Sequence, residues 1–265
     1  MPLKVLTREY LTSSLIKIGI VEGDRLLIHS AIQFLGKPEG GIDMIYQSLQ
    51  SMLTPSGTIV VPAFTFEFAK SAEFYTQNTP SRGMGIFSEY VRQLPGSKRT
   101  SHPLQSIAAV GYHADDLTGR DTPCAFDEGS AFERMLDLDF NCLLLGANIN
   151  ACSIIHFSEQ RANVPYRYWK NFSGLVDGKY AIYRMFVRDL ELDPLLDLNL
   201  IKARLVEQGL WNEVQVNYGT LSTFKLQDFR NSADELLSKD PFCLLSNRES
   251  VKEKLIKRQE DLLDR

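Results

Sequence analysis

Phosphate-binding fingerprints are missing from this chain of 265 residues, which contains neither G-x-G-x-x-G nor G-K-[ST]. That removes the dinucleotide-binding and P-loop routes to nucleotide chemistry. Cysteine and histidine are scarce, with four of each. Cys124, Cys142, Cys152 and Cys243 follow no zinc-like spacing, so no metal is assigned. A chain of this length needs no disulfide framework, and the four read as reduced thiols. No run approaches the roughly 18 apolar residues of a membrane span, and the N-terminus lacks the layout of a secretory signal. The expected setting is the cytoplasm. Positive charge is not in excess: 29 Lys and Arg against 33 Asp and Glu leave a formal charge of −4, so no nucleic-acid partner is expected.

A content of 44% hydrophobic and 23% charged residues is that of an ordinary globular chain, long enough to bury a sizeable core. Short apolar runs punctuated by glycine and proline alternate with stretches of helical periodicity. Arg25–His29, Thr58–Val61, Ser106–Val110 and Asn141–Leu145 read as buried strands. Residues 7–19, 44–53 and 85–94 carry apolar residues at helical spacing, the first behind Thr7 as N-cap. This alternation predicts an α/β sandwich. Beyond about residue 165 the pattern changes. Lys179–Val187 alternates like an antiparallel strand, and helical segments follow near 197–208, 225–238 and 248–265. The last is charged and carries Val251, Leu255 and Leu262. It packs either on its own domain or on a second subunit, which leaves a homodimer open. No repeat or linker divides the chain, so residues 1–265 are expected to form one domain, with a core over about 5–170 that the remainder completes.

The most informative stretch is Gly146–Arg161. It follows the run Asn141–Leu145, so a strand, a short loop and a helical segment place it at the carboxyl end of a sheet, where open α/β sheets bind ligands. His156 and Glu159 are three apart and share one helix face. A carboxylate against an imidazole fixes its tautomer and raises its basicity, as a general base requires. By spacing alone the pair reads first as a structural one. Cys152, four residues before His156, suggests a thiol nucleophile only if the helix starts early, and a small buried thiol is the better explanation. His29 and His102 also stand at junctions between elements, while His113 reads as a surface loop residue. Lys37, Lys98 and Arg99 lie near glycine-rich loops and could meet phosphate, or could simply be solvated.

Taken in order, these motifs resemble the aminoglycoside 3-N-acetyltransferase family. The matching segments are Gly23–Ser30, Gly36–Gly41, Thr54–Pro62, Thr79-Pro80, and Met84-Gly85 with Glu89 and Arg92. They continue with Arg99–Ser106, Phe126–Ser130, and Leu143–Gly146 through His156 to Glu159. The resemblance is dense over about residues 5–170 and looser to about 240. It implies a three-layer α/β/α sandwich around a mixed central sheet, with a C-terminal β/helical extension. It also implies acetyl-CoA, or another short acyl-CoA, as co-substrate and an amino-sugar acceptor. Carried over, His156 is the expected general base and Glu159 its orienting carboxylate. His29, Ser30, Ala31, Arg99, His102 and Ser106 are expected along the CoA channel. Phe64, Glu67, Asp127, Glu128 and Asn150 are expected around the acceptor. Backbone N–H groups after His29, or the Ser106 hydroxyl, are candidate oxyanion donors.

The chain departs from the family pattern in places. Ala31 stands where a second serine is common, and Cys152 where threonine is. Asn150 replaces a carboxylate six residues before His156, and Ala63–Phe68 is unusually aromatic. A polycationic antibiotic favours carboxylates. These changes therefore favour a less cationic amino sugar, nucleotide-linked and destined for a surface glycan, over an antibiotic-modifying role. A Cys152/His156 hydrolase and a catalytically silent CoA-binding relative are the rival expectations.

Overall fold

The computed structural model describes residues 3–263. In chain order, β1 (Val5–Leu6), α1 (Arg8–Lys17), β2 (Arg25–Ser30), β3 (Lys37–Pro38), α2 (Ile42–Leu53) and β4 (Thr58–Pro62) open the fold. Next come α3 (Phe68–Ser71), β5 (Glu73–Phe74), α4 (Ile86–Gln93), β6 (Lys98–Arg99), β7 (Ile107–Gly111), α5 (Ala114–Thr118) and α6 (Ala131–Asp137). Then follow β8 (Asn141–Leu145), α7 (Ile155–Arg161), and the ten-residue strands β9 (Arg167–Val176) and β10 (Lys179–Arg188). The chain closes with α8 (Asn199–Glu207), β11 (Asn212–Val216), β12 (Gly219–Lys225), α9 (Leu226–Lys239) and α10 (Arg248–Leu263).

A seven-stranded sheet in the order β11-β12-β8-β2-β4-β7-β6 organises these elements. Its centre, β8-β2-β4, is parallel, and the pairs outside it are antiparallel. The centre is parallel for a local reason: buried runs such as Leu26–Ile28 and Leu143–Leu145 need cover on both faces, which helical crossovers supply. One face packs Leu26, Ile28, Ile59, Val61, Leu143 and Leu145 against α1, α2 and α4. The other packs Leu27, Val60, Cys142 and Leu144 against α6, α7 and α9. Helices therefore cover both faces of a mixed sheet.

The C-terminal part completes this sheet. β12 pairs along the whole of β8, Leu221 opposite Leu145 through Lys225 opposite Asn141. A second sheet, β10-β9-β5, is built on the hairpin that turns at Asp177-Gly178, both in the left-handed region. Thr7 caps α1 by accepting from Tyr10 N at 3.1 Å, as its position suggests. Of the C-terminal helix read over 248–265, residues 264 and 265 and the Leu262 side chain lie outside the described part. No described helix is long and apolar enough to cross a membrane.

Candidate active site

β8 ends at Leu145, and the chain turns through Gly146 and a short 3-10 turn, Ile149–Ala151, before entering α7. Asn148 holds that turn by accepting from Asn150 N at 3.0 Å. In α7 the buried face consists of Ile155, Phe157, Ser158 and Glu159, so a carboxylate is carried into the interior. A buried charge persists only with partners. Glu159 has two. Its Oε2 lies 2.7 Å from Nδ1 of His156, and its Oε1 lies 2.9 Å from Nε of Arg167, at the start of β9. The Arg167 approach is a charge contact and not an aligned hydrogen bond, since neither of those two atoms has a bonded partner among the described residues. Arg167 is anchored through Nη1, which donates to Phe186 O at 3.2 Å.

The electrostatics follow from this triad. Burial alone would push the Glu159 carboxyl up. The hydrogen bond to His156 and the charge of Arg167 overcome it and hold the carboxyl below its ordinary range. Burial pushes the His156 imidazolium down, Arg167 adds to that, and Glu159 opposes both without reversing them. With Nδ1–H donating to the carboxylate, the lone pair sits on Nε2. The ring of Phe126 packs edge-on against the imidazole at 5.6 Å between centroids. An imidazole that is neutral, fixed in tautomer and braced by a buried carboxylate is a competent general base.

His156 opens into a cavity of about 770 Å³, a size that suits a small-molecule site. Its wall carries Gln105, Tyr166, Arg167, Lys170 and Arg188 and, among the described residues, no carboxylate. A second cavity of about 510 Å³ is lined by Ser30, Ala31 and Asn148 together with Trp211 and Glu213.

The other expected residues divide sharply. His29 is buried in β2. Ser30 and Ala31 reach the second cavity, not the one beside His156. Arg99 and Ser106 are buried and committed to each other: Arg99 Nε donates to Ser106 Oγ at 2.9 Å, and both residues donate to Ala63 O. Arg99 also donates to Thr79 O. His102 is buried too. Its Nδ1 accepts from Gln105 N at 3.0 Å, and burial pulls its pKa down to about 4. In the segment Arg99–Ser106 it is Leu104 and Gln105 that line the His156 cavity. The Ser106 hydroxyl is therefore not free to meet an oxyanion. Nor is the N–H of Ala31, which donates to Leu145 O at 2.8 Å.

On the acceptor side, Phe64 is a core residue packed against Phe132. Glu67 is exposed and pairs with Arg82 at 3.1 Å. Asp127 accepts from Gln160 of α7 at 2.9 Å and from Arg184 at 3.1 Å, so it buttresses the helix that carries His156. Glu128 is exposed. Asn150 Oδ1 accepts from Leu198 N at 2.7 Å, which ties the turn to the start of α8. The Cys152 thiol is buried 3.8 Å from Cys142 Sγ and does not line the His156 cavity. Sequence reasoning missed Tyr166, Arg167, Lys170 and Arg188, which stand on or beside β9 and β10 with no local motif to mark them.

The family model described as aminoglycoside 3-N-acetyltransferase matches residues 27–238. An aminoglycoside N(3)-acetyltransferase III from Salmonella is 30% identical over 251 residues, covering 84% of this chain and 88% of that protein. A Salmonella protein of the same name aligns at 30% over 184 residues, 63% of this chain and 64% of the relative, so that match spans just under two thirds of the relative's length. Among solved structures, the apoenzyme of aminoglycoside acetyltransferase AAC(3)-IVa superposes with a TM-score of 0.79 at 23% identity, covering 94% of this chain and 98% of that one. A binary complex of AAC-IIIb with CoASH gives 0.77 at 20% identity, covering 89% and 97%. At these identities the likeness to solved structures establishes the fold.

Proposed function

This chain belongs to the aminoglycoside 3-N-acetyltransferase family, and we propose that it transfers an acetyl group from acetyl-CoA to an amine of an aminoglycoside. The observation that carries the reading is the hydrogen bond of 2.7 Å between His156 and the buried Glu159, at the wall of the larger cavity. The acceptor amine arrives as an ammonium and must lose a proton before it can attack a thioester. Nε2 of His156 takes that proton, directly or through water, and Glu159 stabilises the imidazolium that forms. The amine nitrogen then bonds to the acetyl carbon and gives up its second proton as the C–S bond breaks, so that of the two protons lost one ends on the departing CoA thiolate and the other in solvent. Transfer is direct, without an acyl-enzyme. Donors that reach the same cavity, the Gln105 amide and the Arg167 guanidinium, are placed to meet the developing oxyanion.

Lys170 and Arg188 on the wall of this cavity suit the phosphate groups of CoA. A bound CoASH in the AAC-IIIb complex and apramycin in a complex of an AAC(3)-IVa mutant support both halves of the proposal. A second reading has one observation in its favour. Among the described residues, cations and no carboxylate line the His156 cavity, which favours a less cationic amino sugar, such as a nucleotide-linked one, as acceptor. A thiol-release assay with acetyl-CoA against aminoglycosides and amino-sugar nucleotides separates the two. Release with aminoglycosides is expected, release with sugar nucleotides alone selects the second reading, and calorimetry showing no acetyl-CoA binding overturns both.

A further inference from the structure

Parallel pairing sets His29 of β2 opposite Leu144 of β8, and Leu27 opposite Cys142. Strand side chains alternate, so His29 and Cys142 point to the same face of the sheet, one step apart on neighbouring strands. Cys152, in the turn before α7, comes down on that face from above. The donor atoms of His29, Cys142 and Cys152 all lie within 4.8 Å of one another. The residues are 4%, 0% and 1% exposed. Nε2 of His29 has no hydrogen-bond partner among the described residues. An unpartnered buried ring nitrogen beside two thiols calls for an explanation, because buried polar atoms are rarely left alone.

The geometry supplies one. The two sulfurs stand 3.8 Å apart. Two thiolates bound at about 2.3 Å to one tetrahedral metal ion are separated by about 3.8 Å. Thiolate and imidazole together select soft, filled-shell cations. Two thiolates on a divalent cation form a neutral unit, which avoids the cost of an isolated charge among Leu27, Leu144 and Ile154. The cavity of about 510 Å³ lies close to the three residues. Ser30 follows His29, Leu144 lies just beyond Cys142 and Ala151 precedes Cys152, and all three line it.

We propose that His29, Cys142 and Cys152 form a binding site for a divalent thiophilic d10 cation, Zn²⁺. Uptake forms two metal–sulfur bonds and one metal–nitrogen bond, and releases the two thiol protons to solvent. No redox step is involved. Occupancy ties the turn that leads to His156 onto β2 and β8 without placing the cation on the acyl-transfer path. The site stands or fails independently of the acceptor and of CoA.

The test is a titration of the full, reduced chain, stripped with a chelator, by Zn²⁺, with Cd²⁺ as the spectroscopic probe. One equivalent is expected to bind, with a thiolate-to-cadmium charge-transfer band, release of two protons per Zn²⁺ and a higher Tm. Cys142→Ser and Cys152→Ser should each weaken binding by at least about 100-fold, more than the usual loss from disturbing a ligand's supporting contacts. Cys124→Ser and Cys243→Ser should keep the wild-type stoichiometry. A wild-type chain that shows no charge-transfer band at one equivalent overturns the proposal whether or not any variant folds. So does binding that survives in the Cys142→Ser/Cys152→Ser double variant.

Discussion

Glu159 offers one carboxylate oxygen to His156 at 2.7 Å and the other to Arg167 at 2.9 Å, while being wholly buried itself. One carboxylate thus answers two groups of opposite effect: it steadies the proton on the imidazole and neutralises the guanidinium beside it. Replacing His156 by Ala should lower kcat for acetyl transfer by about 10²–10⁴-fold, the range of a general base. Glu159→Gln should cost a similar factor, because the amide cannot stabilise an imidazolium and leaves Arg167 unpaired. Steady-state thiol release measures both. A His156→Ala variant within threefold of the parent would remove His156 from the chemistry.

The pH profile should carry the imprint of Arg167. Burial and this guanidinium hold the His156 pKa below its ordinary value of 6.5, so the neutral base persists as pH falls through that value. The acid limb of kcat/KM should therefore lie below 6.5. Arg167→Gln removes a positive neighbour, raises the pKa of the imidazole and moves the limb to higher pH. A limb that stays in place, or moves the other way, contradicts this account.

Lys170→Met and Arg188→Met should each raise KM for acetyl-CoA several-fold with little change in kcat, as expected for lost ground-state contacts. Added salt should weaken binding in the parent more than in the variants, because screening acts on the charges removed. An unchanged KM in both variants would place the CoA phosphates elsewhere.

Away from the site, Glu89 should make stability depend on acid. Burial would raise its pKa, but hydrogen bonds from Arg92 and Ser81, with the Arg92 charge, bring it from 4.5 to about 2. A folded-state pKa below the unfolded one gives stability that is complete above pH 4.5 and lost as pH falls towards 2. The carboxylate is 26% exposed, so its contribution is on the order of 2 kcal/mol. Denaturant unfolding of Glu89→Gln at neutral pH should show a loss of that order, shrinking as pH approaches 3. An equal loss at both pH values would point to packing.

The buried strands and the helices that carry whole apolar stripes were legible because their signals are local. Leu26–Ile28 and Leu143–Leu145 are continuous apolar runs, and residues 44–53 repeat their apolar positions at helical spacing. The His156–Glu159 pair was legible for the same reason, since three residues on a helix bring two side chains together whatever surrounds them. β11 and β12 were not read as strands. Asn212–Val216 and Gly219–Lys225 become strands by pairing with each other and with β8, far away in sequence. The channel residues illustrate the limit. His102 and Ser106 belong to a recognisable motif, yet the turn buries them and shows Leu104 and Gln105 to the cavity.

By itself the sequence determined the alternation of strand and helix, the family and the His156–Glu159 pair, each carried by residues near one another along the chain. The tertiary structure alone decided that Arg167 would stand against Glu159, that Lys170 and Arg188 would share a cavity with His156, and that His29 would meet Cys142 and Cys152. Those meetings depend on strand register and on how the start of β9 meets α7. They are set by the sum of many distant contacts, which no short stretch of residues encodes.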